Sequence, residues 1–336
     1  MDDMIVHING RAFSKKGLRI FCVTKLNGPI PDWEKEIWQA ISDWLENDQI
    51  SFHTSGSTGE PKAILHSKES IAASSKMTAD YFNLNQDSHL LHCLPARYVA
   101  GKMMIYRTLC LGCHLTYVEP KKYPEIPEQV DLASMVPMQV EALLHENAEA
   151  FSQIKQVLIG GAPMRKDLKE KLLALPTPFF ESYGMTETLT HIALKKLEDL
   201  YFKTLPSILV EMPEDTLNIL APHISQDWIK TNDLVKMHGE NEFELMGRKD
   251  DVINSGGIKI HPRQVEEKLE PLIESAFYIA KKADAELGEK VCLFIEGTKR
   301  DLPDFTGVLK KHEMPKELVF VMEFKRTFSG KIIKSN

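Results

Sequence analysis

The chain has 336 residues, of which 43% are hydrophobic and 26% are charged, and its formal net charge is −7. This length and composition are ordinary for a soluble globular protein, and they allow two domains and a sizeable core. No apolar run reaches the 18 residues of a membrane span, and the negative charge argues against bulk binding of nucleic acid.

The five cysteines do not indicate a metal site. Cys110 and Cys113 form a lone Cys-x-x-Cys pair, without the second pair or the spaced histidines that a metal site would need. We interpret both as small core or strand-end residues and expect reduced thiols and a cytoplasmic location. The acidic N-terminus also lacks the basic start of a signal peptide.

The first fifty residues predict short strands and one helix. Residues 5–8 are strand-like, and the Asn-Gly pair at 9–10 favours a tight hairpin turn. Residues 18–26 predict a further strand. An amphipathic helix follows from Asp32, with tryptophans and isoleucines along one side.

A stretch rich in serine, threonine and glycine comes next, after the strand-like residues 50–52. Its glycines let backbone N–H groups approach a ligand, while its hydroxyls and its lysine add donors and a positive charge. The spacing differs from the Gly-x-x-x-x-Gly-Lys-Ser/Thr loop, and by itself such a run is more often a flexible surface loop than a phosphate site. Read as a phosphate cradle, the stretch comprises Thr54, Ser55, Gly56, Ser57, Thr58, Gly59 and Lys62.

Alternating strand and helix patterns occupy residues 68–188. A helix is predicted over 68–82 and buried strands over 90–94, 115–118, 132–136 and 157–159. The alternation predicts an α/β fold with a mostly parallel sheet, whose ligands lie beyond the carboxyl ends of the strands. Two segments follow predicted strands directly: Gly160-Gly161-Ala162-Pro163 and Tyr183-Gly184-Met185-Thr186-Glu187.

Residues 200–247 contain short β-like runs separated by turn residues, which predicts a small, partly antiparallel β subdomain. Composition shifts after Gly247, so we expect a large domain over residues 1–247 and a smaller α+β domain over 248–336. In the latter, a Gly-rich bend at 255–257 leads into a strand, and a helix opens at Pro262.

Five motifs in one chain carry a family resemblance. In order they are residues 54–62, residues 183–187, Thr231-Asn232-Asp233, residues 247–251 and Ser329-Gly330-Lys331. The set resembles the adenylate-forming superfamily of acyl-CoA synthetases, luciferases and peptide-synthetase adenylation domains. Within it the chain is most similar to the short o-succinylbenzoate–CoA ligases of menaquinone biosynthesis. The resemblance runs from about residue 50 onward and implies the superfamily fold, with a shortened N-terminal part over residues 1–50 and a mobile C-terminal lid.

This resemblance implies ATP and Mg²⁺ as ligands and assigns roles to the motifs. The stretch 54–62 is expected to bind the β- and γ-phosphates, and residues 160–163 to form a flat wall for adenine. Tyr183 would stack on adenine, beside Gly184 and Met185, and Thr186 would donate to the α-phosphate. Glu187 would hold Mg²⁺, which prefers oxygen ligands.

The ribose site departs from the family pattern in one residue. The pattern is Thr-Gly-Asp, and this chain has Asn232 in the middle position. Asparagine tolerates a left-handed backbone better than most residues, so we expect the same turn, with Asp233 binding the ribose hydroxyls. Arg248 matches an arginine that reaches the ribose or the phosphates.

The C-terminal residues are expected to serve two lid orientations, one for each half-reaction. Asp250 matches the hinge. Gly257 and Lys259 belong to a segment that helps form the pantetheine tunnel for coenzyme A, the expected acyl acceptor. Lys331 matches the lysine that binds the carboxylate and the α-phosphate during adenylation.

The acid is the least constrained part of the prediction. o-Succinylbenzoate has a second carboxylate that needs a cation or a strong donor, and Lys102, Arg107 and His191 are the candidates. The alternatives are an aryl or short-chain acyl-CoA synthetase and an inactive nucleotide-binding protein. The oligomeric state stays open, a homodimer included.

Overall fold

The computed structural model describes residues 5–53 and 62–334, so the predicted phosphate-loop residues Thr54 to Gly59 lie outside the described residues. The chain divides into two compact units. The first comprises residues 1–209 and 220–229, and the second comprises residues 210–219 and 230–336. No helix within the described ranges is long and apolar enough to cross a membrane.

The first unit is built on a mostly parallel sheet. Its strands are β1 (Val6–Ile8), β2 (Arg11–Phe13), β3 (Gln49–His53), β4 (Ala63–Ser67), β5 (His89–His92), β6 (His114–Tyr117), β7 (Leu132–Met135), β8 (Val157–Ile159), β9 (Phe179–Gly184), β10 (His191–Lys196) and β11 (Phe202–Thr204). They run in the order β11-β10-β9-β8-β7-β5-β6-β1-β2, and β3 pairs with β4 in a separate antiparallel hairpin. The strands from β9 to β1 are parallel, and antiparallel strands flank them on both sides.

Helices cover both faces of this sheet. They are α1 (Lys15–Leu26), α2 (Asp32–Glu46), α3 (Lys68–Phe82), α4 (Val99–Leu111), α5 (Pro137–Asn147) and α6 (Lys166–Leu173). Leu91 of β5 and Ile159 of β8 point into a core that α5 and α6 complete. On the opposite face, the Ser134 hydroxyl of β7 contacts the sulfur of Met104 in α4 at 3.1 Å. An alternating strand–helix sequence typically forms three layers of this kind, in which helices bury both apolar faces of the sheet.

The second unit contains two groups of strands. The first group is β12 (Leu209–Glu211), β13 (Thr216–Leu220), β14 (Ile229–Met237) and β15 (Glu242–Arg248), with β14 and β15 antiparallel. After a 3₁₀ turn over Lys249–Asp251, the second group is β16 (Ile253–Ser255), β17 (Ile258–Ile260), β18 (Phe277–Asp284), β19 (Gly288–Glu296) and β20 (Glu317–Val321), with helix α7 (Pro262–Leu269). The expected fold class is confirmed. The predicted boundary at residue 247, between a large domain and a mobile lid over residues 248–336, stays a prediction.

One predicted strand is wrong: residues 18–26 lie in α1. The Ser14 side chain accepts a hydrogen bond from the backbone N–H of Gly17 and caps the helix. Leu18 and Cys22, one helical turn apart, are buried, whereas Ile20 and Val23 are more than half exposed. These exposed β-branched residues produced the strand-like pattern, although helical spacing decides which side chains are buried.

The start of α4 depends on Gly101. It lies in the first turn of α4, which begins at Val99. A Cβ atom at Gly101 would lie 2.3 Å from the carbonyl oxygen of Pro95, so only glycine lets the helix start against this loop.

The buried His92 at the end of β5 makes the stability of the first unit depend on pH. Burial lowers the pKa of His92 to about 4, from an ordinary value of about 6.5. As the pH falls, the unfolded chain therefore binds this proton before the folded chain does. The contribution of neutral His92 to the free energy of unfolding is complete above about pH 6.5 and is lost progressively as the pH falls toward 4.

We expect the free energy of unfolding to fall by up to about 2 kcal/mol between pH 6.5 and 5 because of this side chain. Urea unfolding followed by fluorescence of the tryptophans in α2 would measure it. His92→Leu should remove this part of the pH dependence of the free energy of unfolding. His145→Leu, which changes an exposed histidine, is the control and should retain it. Equal slopes for both variants would show that His92 does not titrate as proposed.

Candidate functional site

The carboxyl ends of β8 and β9 are held close together where the sequence predicted a ligand. The Ser182 hydroxyl of β9 donates to the carbonyl oxygen of Ile159 at 3.0 Å. A Cβ atom at Gly160 would lie 2.6 Å from the Ser182 hydroxyl oxygen, and Gly161 has a φ of +87°. Glycines are required at both positions, and the segment continues with the half-buried Ala162 and the exposed Pro163.

The end of β9 is fixed by contact with β10. Tyr183 is 7% exposed, and its ring centre lies 6.1 Å from that of Phe202. A Cβ atom at Gly184 would lie 2.2 Å from the carbonyl oxygen of Thr190. The backbone of the predicted motif therefore passes β10 at a distance that excludes any side chain at Gly184.

The turn after β9 is organised by two residues that the sequence analysis missed. The Thr188 hydroxyl accepts from the Met185 backbone N–H at 3.0 Å and lies 2.9 Å from the carbonyl oxygen of Thr190. His66 Nε2 lies 2.8 Å from the carbonyl oxygen of Thr186. A carbonyl can only accept, so Nε2 carries the proton, and burial lowers the pKa of His66, which favours the neutral ring.

Thr186 and Glu187, the two polar residues of this turn, differ in their exposure to solvent. Thr186 is buried, and Glu187 is exposed beside a depression of about 410 Å³ that His66, Ser67 and Ser225 also line. Position 66 had no signal in the sequence, because nothing in its spacing connects it to residue 186. Position 188 could have been found, since a threonine hydroxyl three residues before a strand can bind neighbouring backbone groups and shape a turn.

Lys62, the last residue of the predicted phosphate loop, is exposed just before β4. The last residue pair of the β3–β4 hairpin, His53 and Ala63, brackets the loop. The hairpin thus fixes the positions of His53 and Lys62, the two residues that residues 54–61 connect.

The three acid-site candidates fall into two places. Lys102 Nζ donates to the carbonyl oxygen of Ser51 at 2.7 Å, which ties α4 to β3, and burial lowers the pKa of this lysine. Arg107 lies deeper, at 1% exposure, and its Nη2 donates to the Thr190 hydroxyl at 2.9 Å. His191 Nδ1 contacts the same hydroxyl at 3.2 Å. The structure therefore brings Arg107 and His191 together and gives Lys102 a separate partner.

Arg107 is a buried cation without a carboxylate partner among the described residues. Its Nη1 contacts only the sulfur of Met104, at 3.5 Å, and its Nε has no hydrogen-bond partner in the described chain. Burial lowers the pKa of Arg107 to about 10, so the guanidinium is still charged at neutral pH. Such a group is poised to bind an anion.

In the second unit, three predicted site residues form a charged cluster. Asp233 of β14 and Arg248 of β15 are paired across the strands, with Oδ1 and Nη1 3.9 Å apart. Loss of hydration and then the charge of Arg248 lower the pKa of Lys331, whereas Asp251 and Asp233 act in the opposite direction. The charges of Arg248 and Asp233 therefore act on Lys331 in opposite directions.

The departure from the family pattern at Asn232 has a structural consequence. We expected a left-handed turn there, and this is wrong: Asn232 lies in β14 and is not among the residues with positive φ. Its amide donates to Asp250 Oδ2 at 3.0 Å, and Asp250 also lies 3.6 Å from Arg248. The predicted hinge residue is therefore bound by two neighbours on β14 and β15.

The Gly-rich bend is a two-residue hairpin between β16 and β17. Gly256 and Gly257 have φ values of +58° and +82°, which favours glycine at both positions. Lys259 follows on β17 and is exposed. The predicted bend into a strand is confirmed, and contact with pantetheine stays a prediction.

The close approach at Gly184 generates a stability prediction. Gly184→Ala forces a methyl group against the backbone of β10, and overpacking of this kind typically costs about 1–3 kcal/mol and occasionally more. Gly239→Ala is the matched control, because a Cβ atom there meets nothing within 4 Å. Urea unfolding should show a lower midpoint for Gly184→Ala alone. Equal midpoints would contradict the close approach.

Comparison with known proteins identifies the family of this chain. The family model described as AMP-binding enzyme matches residues 27–226. The 2-succinylbenzoate–CoA ligase of Enterococcus faecalis is 26% identical over 88% of this chain and 70% of its own length. An acyl-CoA synthetase (AMP-forming)/AMP-acid ligase II-like protein from Dyadobacter fermentans is 33% identical, covers 94% of this chain and 95% of its own, and has a TM-score of 0.63.

The fold is also shared with a more distant structure. O-succinylbenzoate coenzyme A synthetase from Bacillus subtilis, in complex with ATP and magnesium ion, has a TM-score of 0.72 at 21% identity, over 84% of this chain and 68% of its own. Because the family model spans more than half of the chain and a 33% identical structure spans nearly all of it, this chain belongs to the AMP-binding enzyme family, with the adenylate-forming fold.

Proposed function

We propose that the protein is an AMP-forming acid–thiol ligase that converts o-succinylbenzoate, ATP and coenzyme A into o-succinylbenzoyl-CoA, AMP and diphosphate. The observation that carries the choice of acid is the buried guanidinium of Arg107, which has no carboxylate partner among the described residues. The curated relative from Enterococcus faecalis, named for this activity, supports the same choice.

The environment of Arg107 favours an acid that carries a second negative charge. Taking a cation out of water costs several kcal/mol unless an anion or a set of acceptors replaces the water. Here the replacement is one threonine hydroxyl and one thioether sulfur, a weak acceptor. The carboxylate of o-succinylbenzoate that is not activated supplies the missing charge. A benzoate or a short monocarboxylic acid leaves the guanidinium uncompensated.

Lys102 has a different part in this proposal. Its ammonium is already bound to the carbonyl oxygen of Ser51 in β3, the strand that leads into residues 54–61. We assign it to holding that strand on α4, where it supports the phosphate-binding stretch. Its removal is then expected to affect every acid equally.

For the nucleotide we propose the roles that the resemblance implies. Residues 54–59 and Lys62 bind the β- and γ-phosphates, and Gly160 to Pro163 with Tyr183, Gly184 and Met185 form the adenine side. Thr186 donates to the α-phosphate, and Asp233 and Arg248 bind the ribose. The ordering of the 185–190 turn by Thr188 and His66 supports the placement of Thr186 and Glu187.

Glu187 fits a magnesium site of the kind that depends on bound phosphates. Within residues 5–53 and 62–334, no three His, Cys, Asp or Glu side chains are grouped to hold a metal by themselves. Mg²⁺ typically uses one or two carboxylates and completes its octahedron with phosphate oxygens and water. Glu187 would provide one such carboxylate. The ion, when bound, neutralises phosphate charge.

Lys331 carries the catalytic role in the proposed first half-reaction. A carboxylate oxygen of the acid attacks the α-phosphorus, the bond to diphosphate breaks, and Lys331 neutralises the negative charge that gathers where the two anions meet. In the second half-reaction the thiol of coenzyme A attacks the acyl carbon, and AMP leaves. Asp250 is the proposed hinge of a lid over residues 248–336, and Gly257 and Lys259 the proposed pantetheine contacts.

Two further points stay proposals. All five cysteines are free thiols, which supports a cytoplasmic location. The oligomeric state stays open, a homodimer included.

Arg107→Met tests the choice of acid while it keeps most of the side-chain volume. Removing one partner of a buried charge pair typically costs about 2–5 kcal/mol, or roughly 30- to 4,000-fold. We expect this loss in kcat/KM for o-succinylbenzoate and a much smaller one for benzoate, measured by release of diphosphate with saturating ATP and coenzyme A.

Lys102→Met is the matched control and should lower activity with both acids by a similar factor. If Arg107→Met treats the two acids alike, Arg107 does not bind the second carboxylate. A wild-type protein that prefers benzoate or a short acid would favour the aryl or short-chain synthetase. Activity with no acid in the panel would favour the inactive nucleotide-binding protein.

A further inference from the structure

A chain of hydrogen bonds lies behind Arg107 and continues to α3. Arg107 Nη2 lies 2.9 Å from Thr190 Oγ1, and Thr190 Oγ1 lies 3.2 Å from His191 Nδ1. His191 Nε2 lies 3.2 Å from Thr78 Oγ1, and the Thr78 hydroxyl lies 3.1 Å from the carbonyl oxygen of Ser74. Arg107, Thr78 and His191 are buried, so little water competes for these contacts.

The donors in this chain can be assigned from chemistry alone. A guanidinium only donates, so the Thr190 oxygen accepts from Arg107 and its own proton is directed to His191 Nδ1. At the other end a backbone carbonyl only accepts, so the Thr78 hydroxyl donates to Ser74. Its oxygen then accepts from His191 Nε2. Nε2 therefore carries a proton, and because burial and the charge of Arg107 favour the neutral ring, Nδ1 accepts from the Thr190 hydroxyl.

The environment of His191 agrees with this assignment. Burial and then the charge of Arg107 lower the pKa of His191 well below its ordinary value. Two positive charges this close would repel each other, which is a second reason for a neutral ring. A neutral His191 whose two nitrogens are both engaged has no free donor for a substrate carboxylate.

We propose that Thr190 and His191 are positioning residues that hold the Arg107 guanidinium for the second carboxylate of the substrate. This inference rests on the proposed function and deepens it. Preference for a dicarboxylic acid then resides in the chain Arg107–Thr190–His191–Thr78 and not in Arg107 alone. Without Thr190 the guanidinium keeps its charge but loses its only oxygen acceptor in the described chain, so its orientation is no longer fixed.

The test compares variants that remove one link with variants that keep it. Thr190→Val preserves the side-chain shape and removes the acceptor, and Thr190→Ser preserves the acceptor. His191→Leu removes the Nδ1 acceptor, and His191→Asn places an amide oxygen near the same position. Thr108→Val is the matched control, because this buried threonine on α4 bonds to the carbonyl oxygen of Met104 and lies outside the chain.

We expect Thr190→Val and His191→Leu to raise KM for o-succinylbenzoate roughly tenfold or more, the usual scale for a lost hydrogen bond to a charged group. The KM for benzoate should change far less, and kcat with o-succinylbenzoate should fall by a smaller factor than KM rises. Thr190→Ser and His191→Asn should recover most of the affinity, and Thr108→Val should not alter the ratio of the two acids.

Two results would overturn the inference: equal changes for both acids in Thr190→Val, or no recovery in Thr190→Ser. If Thr190→Val fails to fold, the His191→Leu and His191→Asn pair decides in the same way. Failure of the inference is distinct from failure of the proposed function. If Arg107→Met loses activity mainly with o-succinylbenzoate but the Thr190 variants affect both acids equally, only the positioning role of Thr190 and His191 is refuted. If Arg107→Met itself affects both acids equally, the assignment of o-succinylbenzoate as the substrate is refuted.

Discussion

The proposed acid site depends on a single buried charge. The guanidinium of Arg107 is 1% exposed, lies on a helix packed against the central sheet and finds only a hydroxyl and a sulfur as partners among the described residues. A cation in that position lowers the stability of the empty protein unless the surrounding groups and a ligand compensate it. Natural proteins retain such groups where function requires them. In the proposed site, Thr190 and a neutral His191 keep this charge in one orientation without a second charge beside it.

Backbone packing places the nucleotide motifs. Gly160 and Gly184 occur where β8, β9 and β10 approach too closely for a side chain, and the following turn is closed by the Thr188 hydroxyl. His66 adds a bond from the hairpin that brackets residues 54–61 to the carbonyl of Thr186. In the second unit, Asp233 and Arg248 are paired across β14 and β15, and their charges shift the pKa of Lys331 in opposite directions.

Much of this organisation could be predicted from the sequence, because the decisive signals are local. The hairpin turn at Asn9 and Gly10, the helix over Lys68–Phe82 and the glycine pair before β17 follow from turn chemistry and periodicity, and the structure has all three. Residues 18–26 were assigned wrongly because β-branched residues outweighed the Ser14 cap. The contacts of Arg107 and His191 could not be predicted, because Thr190 reaches Arg107 and Thr78 reaches His191 only after the sheet brings α3, α4 and β10 together.

Transfer of oxygen from the acid to AMP tests the central claim most directly. o-Succinylbenzoate labelled with ¹⁸O in its carboxylates would be converted in the presence of ATP and coenzyme A, and the AMP analysed by mass spectrometry. The account predicts one ¹⁸O atom in each AMP, because a carboxylate oxygen attacks the α-phosphorus and stays there when the thiol displaces AMP. Unlabelled AMP, or label in the diphosphate, would contradict the acyl-adenylate route.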